Sequence, residues 1–102
     1  MLIANDVNGD RATLKLGGRF DFHSHRDFRS AYEQHLVKAG VREIIIDFGD
    51  VDYLDSSALG MLLLLREKCD AAGRSVVLSG LKGTVKQVLD IANFGKLFDI
   101  RA

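Results

Sequence analysis

The sequence predicts an α/β domain in which α-helices pack against a mixed sheet of four or five strands. Three observations carry that reading: the β-branched run Ile44-Ile45-Ile46, an apolar stripe at helical spacing from Phe28 to Ala39, and strand-like and helix-like segments that alternate after an opening pair of strands. At 102 residues, with 47% apolar and 27% charged side chains, the chain has the size of one domain. A chain of this length buries enough surface to fold on its core, without disulfides or a structural metal.

Leu2 to Val7 and Arg11 to Leu16 are apolar-rich segments separated by Asn8-Gly9-Asp10, a turn-forming set that suits a β-hairpin. After Gly17-Gly18 and Arg19-Phe20-Asp21-Phe22, Ser24 with Asp27 three residues on makes an approximate capping box, and a helix is expected to begin there. Phe28, Ala31, Tyr32, His35, Leu36 and Ala39 then form one stripe, that of an amphipathic helix of about four turns. Gly40 stands where a left-handed C-terminal cap belongs. Glu43 to Phe48 lacks alternation, as expected of a central strand covered on both faces in a parallel sheet. A second helix is expected from Ser56 or Ser57 to Ala72, with Gly73 as its stop, and Ser75 to Ser79 reads as another buried strand. Thr84 to Ala92 suits a third helix with Val85, Val88, Leu89 and Ala92 as its apolar face, and Phe98-Asp99-Ile100 a short strand or packed tail. No internal repeat, linker or low-complexity stretch interrupts this order.

Fourteen basic and fourteen acidic side chains cancel, so no net positive field is available to hold nucleic acid or an anionic membrane surface, and neither is an expected partner. The lone Cys69 cannot form an internal disulfide, which suits a reducing compartment. The N-terminal residues lack a basic region followed by a long apolar stretch, and the longest apolar run, Ala58 to Leu65, is far below a membrane span. A cytoplasmic location is expected.

The informative stretch is Asp47 to Leu65, DFGDVDYLDSSALGMLLLL, which is expected to join a buried strand to a helix N-terminus through a loop bearing Asp50, Asp52 and Asp55. In α/β folds, sites gather at the carboxyl ends of the strands. On a helical wheel Ala58, Leu62, Leu65, Cys69 and Ala72 form the core face. Ser57, Gly60, Leu64 and Ala71 then point outward, with Met61 and Leu63 on the flanks and Glu67 and Lys68 also on the outer side. An apolar outer side beside the serines suits a docking surface; ordinary surface apolar residues account for it equally well. Gly60 favours docking, because a glycine inside a helix costs roughly 1 kcal/mol relative to alanine unless a close approach needs it.

Asp55, Ser56 and Ser57 are all good N-cap residues, and capping alone would explain them. A second reading is that one hydroxyl, at a positively polarised helix end, is reached by a kinase. The fold would tolerate a phosphate there, because free amides and the helix dipole favour negative charge. A docked partner would not, since it would have to desolvate a bulky dianion.

Asp55-Ser56-Ser57-Ala58-Leu59-Gly60, reached from Ile44-Ile45-Ile46-Asp47-Phe48, resembles the signature of STAS domains, the bacterial anti-sigma factor antagonists, and the likeness covers essentially the whole chain. The resemblance implies that the first serine after the aspartate, Ser56, is phosphorylated by an anti-sigma factor that is also a serine kinase. Gly18-Arg19-Phe20-Asp21 similarly resembles the family's glycine-to-aspartate turn after the second strand, which places Asp21 in the kinase-contacting region. The partner-binding residues so implied, together with the wheel, are Asp21, Asp55, Ser56, Ser57, Gly60, Met61 and Leu64. Ala58, where many members have glycine, and Arg19-Phe20, in place of the commoner acidic-leucine pair, depart from the family pattern and leave the partner's identity open. By resemblance the unphosphorylated protein binds the kinase and frees a sigma factor, phosphorylation releases the kinase, and a metal-dependent serine phosphatase resets the cycle. ATP and magnesium belong to the kinase; this chain is expected to need no cofactor and to catalyse nothing. The alternative within the family is an accessory subunit of a transport or signalling complex that never cycles.

Other chemistry has weaker support. Asp47, Asp50, Asp52 and Asp55 suggest a cation or a phospho-aspartate receiver, but the spacing lacks the glycine turn and terminal glutamate of an EF-hand loop, and the acidic pair a receiver needs after its first strand is missing. His23, His25 and His35 offer no complete ligand set. Ser79-Gly80-Leu81-Lys82-Gly83-Thr84 lacks a phosphate-loop pattern and reads as a strand-to-helix turn. Cys69 is explained by packing.

Overall fold

The protein is described by a computed structural model over residues 1–101. Strands β1 (Leu2–Asn8) and β2 (Arg11–Phe20) form the expected hairpin, closed by Gly9-Asp10 with Gly9 at φ +64°. A 3₁₀ turn (Phe22–Ser24) leads into α1 (His25–Val37), followed by β3 (Glu43–Leu54), α2 (Ser56–Ala71), β4 (Ser75–Ser79), α3 (Gly83–Ile91), a second 3₁₀ turn (Phe94–Lys96) and β5 (Asp99–Arg101). The five strands lie in the order β1-β2-β3-β4-β5. β1 runs antiparallel to β2, and every later pair is parallel, with β3 at the centre.

Each parallel step passes through a helix and moves the same way across the sheet. Right-handed crossovers therefore stack all three helices on one face. The core matches: Leu14, Ile44, Ile46 and Leu78 from the strands share one buried cluster with Phe28 of α1, Leu62 of α2 and Leu89 of α3. The expectation that Ile44-Ile45-Ile46 would be covered on both faces is thus corrected. Ile44 and Ile46 are buried while Ile45 is only half-buried, because the second face has no helix over it, although Val77, the partner of Ile45 in β4, is still buried there. That open face carries charge: Arg11 and Arg101 both reach Glu43, at 3.5 and 3.2 Å. With both arginines open to solvent, pairs of this kind add little stability.

The start of α1 also differs from expectation. The capping box forms one turn earlier, where the Asp21 carboxylate accepts the His23 N–H at 2.9 Å and the Ser24 hydroxyl oxygen accepts the Asp21 N–H at 3.2 Å. Ser24, almost fully buried, donates its own proton to the Arg19 carbonyl at 3.1 Å and leaves α1 without a side-chain cap. Phe28, Ala31, Tyr32 and His35 form the buried stripe as read, but the helix ends at Val37, so Ala39 is exposed and Gly40 (φ +91°) serves the following turn.

α3 begins one residue before the expected Thr84 and buries Val85 and Leu89, while Phe98 packs in the core ahead of the short β5. Gly80, at φ +70° in the turn after β4, lies so near the neighbouring chain that a Cβ there would stand 2.8 Å from Asp47 Oδ1 and 2.9 Å from the Gly49 nitrogen. The phosphate-loop-like stretch is thus a turn that needs glycine for close approach.

Candidate functional site

β3 does not stop at Phe48. β2 runs beside it as far as Phe20, which pairs with Leu54, and so the backbone of residues 50–54 keeps sheet partners. Asp50 and Asp52 therefore lie on the strand, not on a loop as expected, and Asp55 alone separates β3 from α2.

Asp55 organises this end of the molecule. Its Oδ1 accepts the Ala58 N–H at 3.1 Å and caps α2, while its Oδ2 accepts the Phe22 N–H at 3.2 Å. Its own N–H donates to the Phe20 carbonyl at 3.3 Å. One residue so fixes the first turn of α2 and ties it to the 3₁₀ turn that Asp21 caps. Asp21 in turn faces Arg19, whose Nε lies 3.6 Å from Asp21 Oδ2 and whose guanidinium carbon sits 4.0 Å from the centre of the Tyr53 ring.

Because Asp55 supplies the cap, neither serine has to. Ser56 is the first residue of α2 and is exposed; Ser57, next along, is half-buried. The exposed line of the helix runs Ser56, Gly60, Leu63, Glu67, Asp70. Among the described residues nothing outside its own helical turn lies within 4 Å of a Cβ built on Gly60, so no packing against another element accounts for the glycine.

The wheel is corrected on three residues. Met61 is a core residue at 7% exposure, and Leu64 is half-buried; with His25, Phe28, Arg29 and Tyr32 of α1 they line a small gap between the two helices. The buried arc is wider than the sheet alone requires, because α2 packs against α1 as well as against β3 and β4. Leu63, placed only on a flank by the wheel, is the apolar side chain that stays outside, at 38% exposure. Its position seven residues after Ser56 and three after Gly60 was the available signal. Sequence reasoning also missed Phe22, 68% exposed on its capped turn, which shows no helical or strand period.

Among the described residues no group of three or more His, Cys, Asp or Glu is placed to hold a metal ion. Asp47 instead accepts the Gly49 N–H at 2.8 Å. His35 is buried, with Nε2 2.9 Å from Asn5 Oδ1 on β1, and burial followed by the nearby Lys38 charge pushes its pKa down. Burial raises the Cys69 thiol to about 11, which makes it unreactive. Among the described residues no helix is long and apolar enough to cross a membrane.

Comparison with known proteins agrees with this geometry. Residues 3–102 match the family model described as the STAS domain. A STAS-domain containing protein of Pseudomonas aeruginosa (strain UCBPP-PA14) is 43% identical over 94 residues, covering 92% of this chain and 91% of its own. The anti-sigma factor antagonist SpoIIAA in its unphosphorylated form shares the fold, with a TM-score of 0.76 at 20% identity over 99% of this chain and 88% of its own. The phosphorylated form of the same Bacillus cell fate determinant gives a TM-score of 0.74, also at 20% identity, over 99% of this chain and 92% of its own. The five-stranded mixed sheet under three helices, the match along nearly the full sequence and the Pseudomonas relative together place this chain in the STAS domain family.

Proposed function

We propose that this chain is an anti-sigma factor antagonist. Its unphosphorylated form binds an anti-sigma factor serine kinase and thereby frees a sigma factor, and phosphorylation of Ser56 switches that binding off. A serine phosphatase restores the binding form. The chain is ligand and substrate in this cycle, and the chemistry belongs to its partners.

The observation that carries the reading is the exposed Ser56 at the first position of a helix already capped by Asp55. A phosphate there meets the positive end of the helix dipole, which favours it by about 0.3–1 kcal/mol. It adds a charge of about −1.5 to −2 without displacing the cap. A partner pressed against Ser56, Gly60 and Leu63 would have to strip water from that dianion, and about 4 kcal/mol of such cost is already near a thousandfold in affinity. SpoIIAA, whose structures exist in unphosphorylated and phosphorylated forms, supports the reading by showing that this fold accommodates both states.

Intact-mass measurement of the protein from its native cells is expected to show a phosphorylated fraction that disappears in Ser56→Ala and persists in Ser57→Ala. Absence of that fraction under every growth condition would favour the accessory-subunit alternative. Ser56→Asp is expected to weaken kinase binding by about 100- to 1000-fold while changing folding stability by less than about 0.5 kcal/mol. Parallel loss of binding and folding would reject the mechanism.

A further inference from the structure

The chain has six phenylalanines and two tyrosines. Phe20, Phe28, Tyr32, Phe48, Phe94 and Phe98 are all buried, and the two aromatic side chains left in solvent, Phe22 at 68% and Tyr53 at 40%, both stand at the edge of the Ser56 site. Phe22 is tied by its backbone to the Asp55 carboxylate, and Tyr53 lies three residues before Ser56 at the end of β3. Neither serves the core. Both are nevertheless held in place. The turn under Phe22 is closed by the Asp21–Ser24 capping box and by Asp55, and the Tyr53 ring is covered on one side by the Arg19 guanidinium 4.0 Å away.

We propose that Phe22, with the Arg19–Tyr53 stack, is the anchor through which this surface grips its protein partner, and that the line Ser56, Gly60, Leu63 is the flatter part over which the partner slides into register. The proposal rests on the partner-switching reading given above and names which residues supply its affinity. Rigid aromatic rings lose little conformational freedom on docking, and aromatic and arginine side chains dominate binding energy at protein interfaces, usually near the centre of the contact. Here they sit beside the hydroxyl that would be modified. A phosphate on Ser56 would then arrive next to the anchors, where the interface must be driest, and this placement explains how one group could undo the whole contact. The partner that fits is a protein with an apolar socket for the phenyl ring and an acceptor, such as a carboxylate, for the exposed part of Arg19.

The test uses an anti-sigma factor serine kinase of the source organism, selected because it phosphorylates the purified protein with ATP and magnesium, and measures binding to it by calorimetry. Phe22→Ala is expected to weaken binding about 30-fold or more and Tyr53→Ala about 10-fold, while Phe22→Trp and Tyr53→Phe stay within about threefold of the unchanged protein. The thermal midpoint should move little in Phe22→Ala, whose ring is exposed; Tyr53→Ala also loses the Arg19 stack, so its binding is judged against Tyr53→Phe, which keeps the ring. If Ser56→Asp abolishes binding and the two alanine variants bind within twofold of the unchanged protein, the anchor is wrong and the switch stands. If no kinase of the organism phosphorylates the protein, or Ser56→Asp binds normally, the switch reading fails and the anchor falls with it.

Discussion

At Asp55 one carboxylate oxygen holds the first turn of α2 and the other holds the turn that carries Phe22, so a single substitution reaches two elements. Replacing Asp55 by alanine removes a helix cap and a second charge-assisted bond, each worth about 1 kcal/mol or somewhat more. Asp55→Ala is expected to lower unfolding free energy by about 1–3 kcal/mol in urea titrations and to speed amide exchange at Phe22; an unchanged Phe22 amide would show that the turn does not depend on the tether. Both aspartates could be picked out in the sequence, because Asp55 and Asp21 sit in recognisable local contexts. Which N–H each one serves could not, because Asp55 reaches a residue 33 positions away and the Ser24 hydroxyl is drawn back to Arg19. Such pairings depend on β2 and β3 being side by side, which no short window of sequence records.

The elements themselves were largely legible. β4 begins and ends where the Ser75 to Ser79 run placed it, and α2 begins at Ser56 and ends one residue short of the expected Ala72, since caps, stop signals and apolar spacing act within a few residues. What escaped was the length of β3 and the width of the buried arc on α2, both set by neighbours: β2 extends β3 to Leu54, and α1 buries Met61. Two charge insertions separate the sides of α2. Met61→Arg places an unpaired cation against Phe28 and Tyr32 and is expected to cost about 3–5 kcal/mol, enough to unfold much of the population at 37 °C in a circular dichroism melt. Leu63→Arg, only two residues on, is expected to keep its melting temperature and to lose kinase binding. Equal melting temperatures for the two variants would contradict the placement of α2.

Across the whole molecule, α1 is joined to the edge strand β1 by the His35–Asn5 contact, whose histidine Nδ1 is buried without a partner. Protonation there would add a charge and an unpaired N–H to the interior. Burial, and then Lys38, lowers the folded pKa of His35 below its ordinary 6.5, so in acid the unfolded chain binds a proton that the folded chain resists. The stability tied to His35 is therefore present above pH 6.5 and declines as pH falls through that value toward the lowered folded pKa. Unfolding free energy should drop between about pH 7 and pH 5 in the unchanged protein, and His35→Leu should flatten that slope; an unaltered slope would assign it to other groups. The alternation of strands and helices could be read from the sequence, while the fifth strand stayed open between strand and tail; the lack of helices over the second face could not be read, because Ile44-Ile45-Ile46 carries the same residues whether one side or both are covered.

β3 gives the molecule two unlike poles. At its carboxyl end lie Asp21, Phe22 and Ser56, and at its amino end, beside Glu43, the Gly9-Asp10 turn closes the hairpin. Twelve extended residues, rising about 3.3 Å each, keep the poles on the order of 30 Å apart in a molecule whose longest extent is 35 Å. A dye, a bead or a fused protein fastened at the hairpin tip would thus ride on a built-in handle, far from Ser56, and could follow the proposed switch without touching its surface.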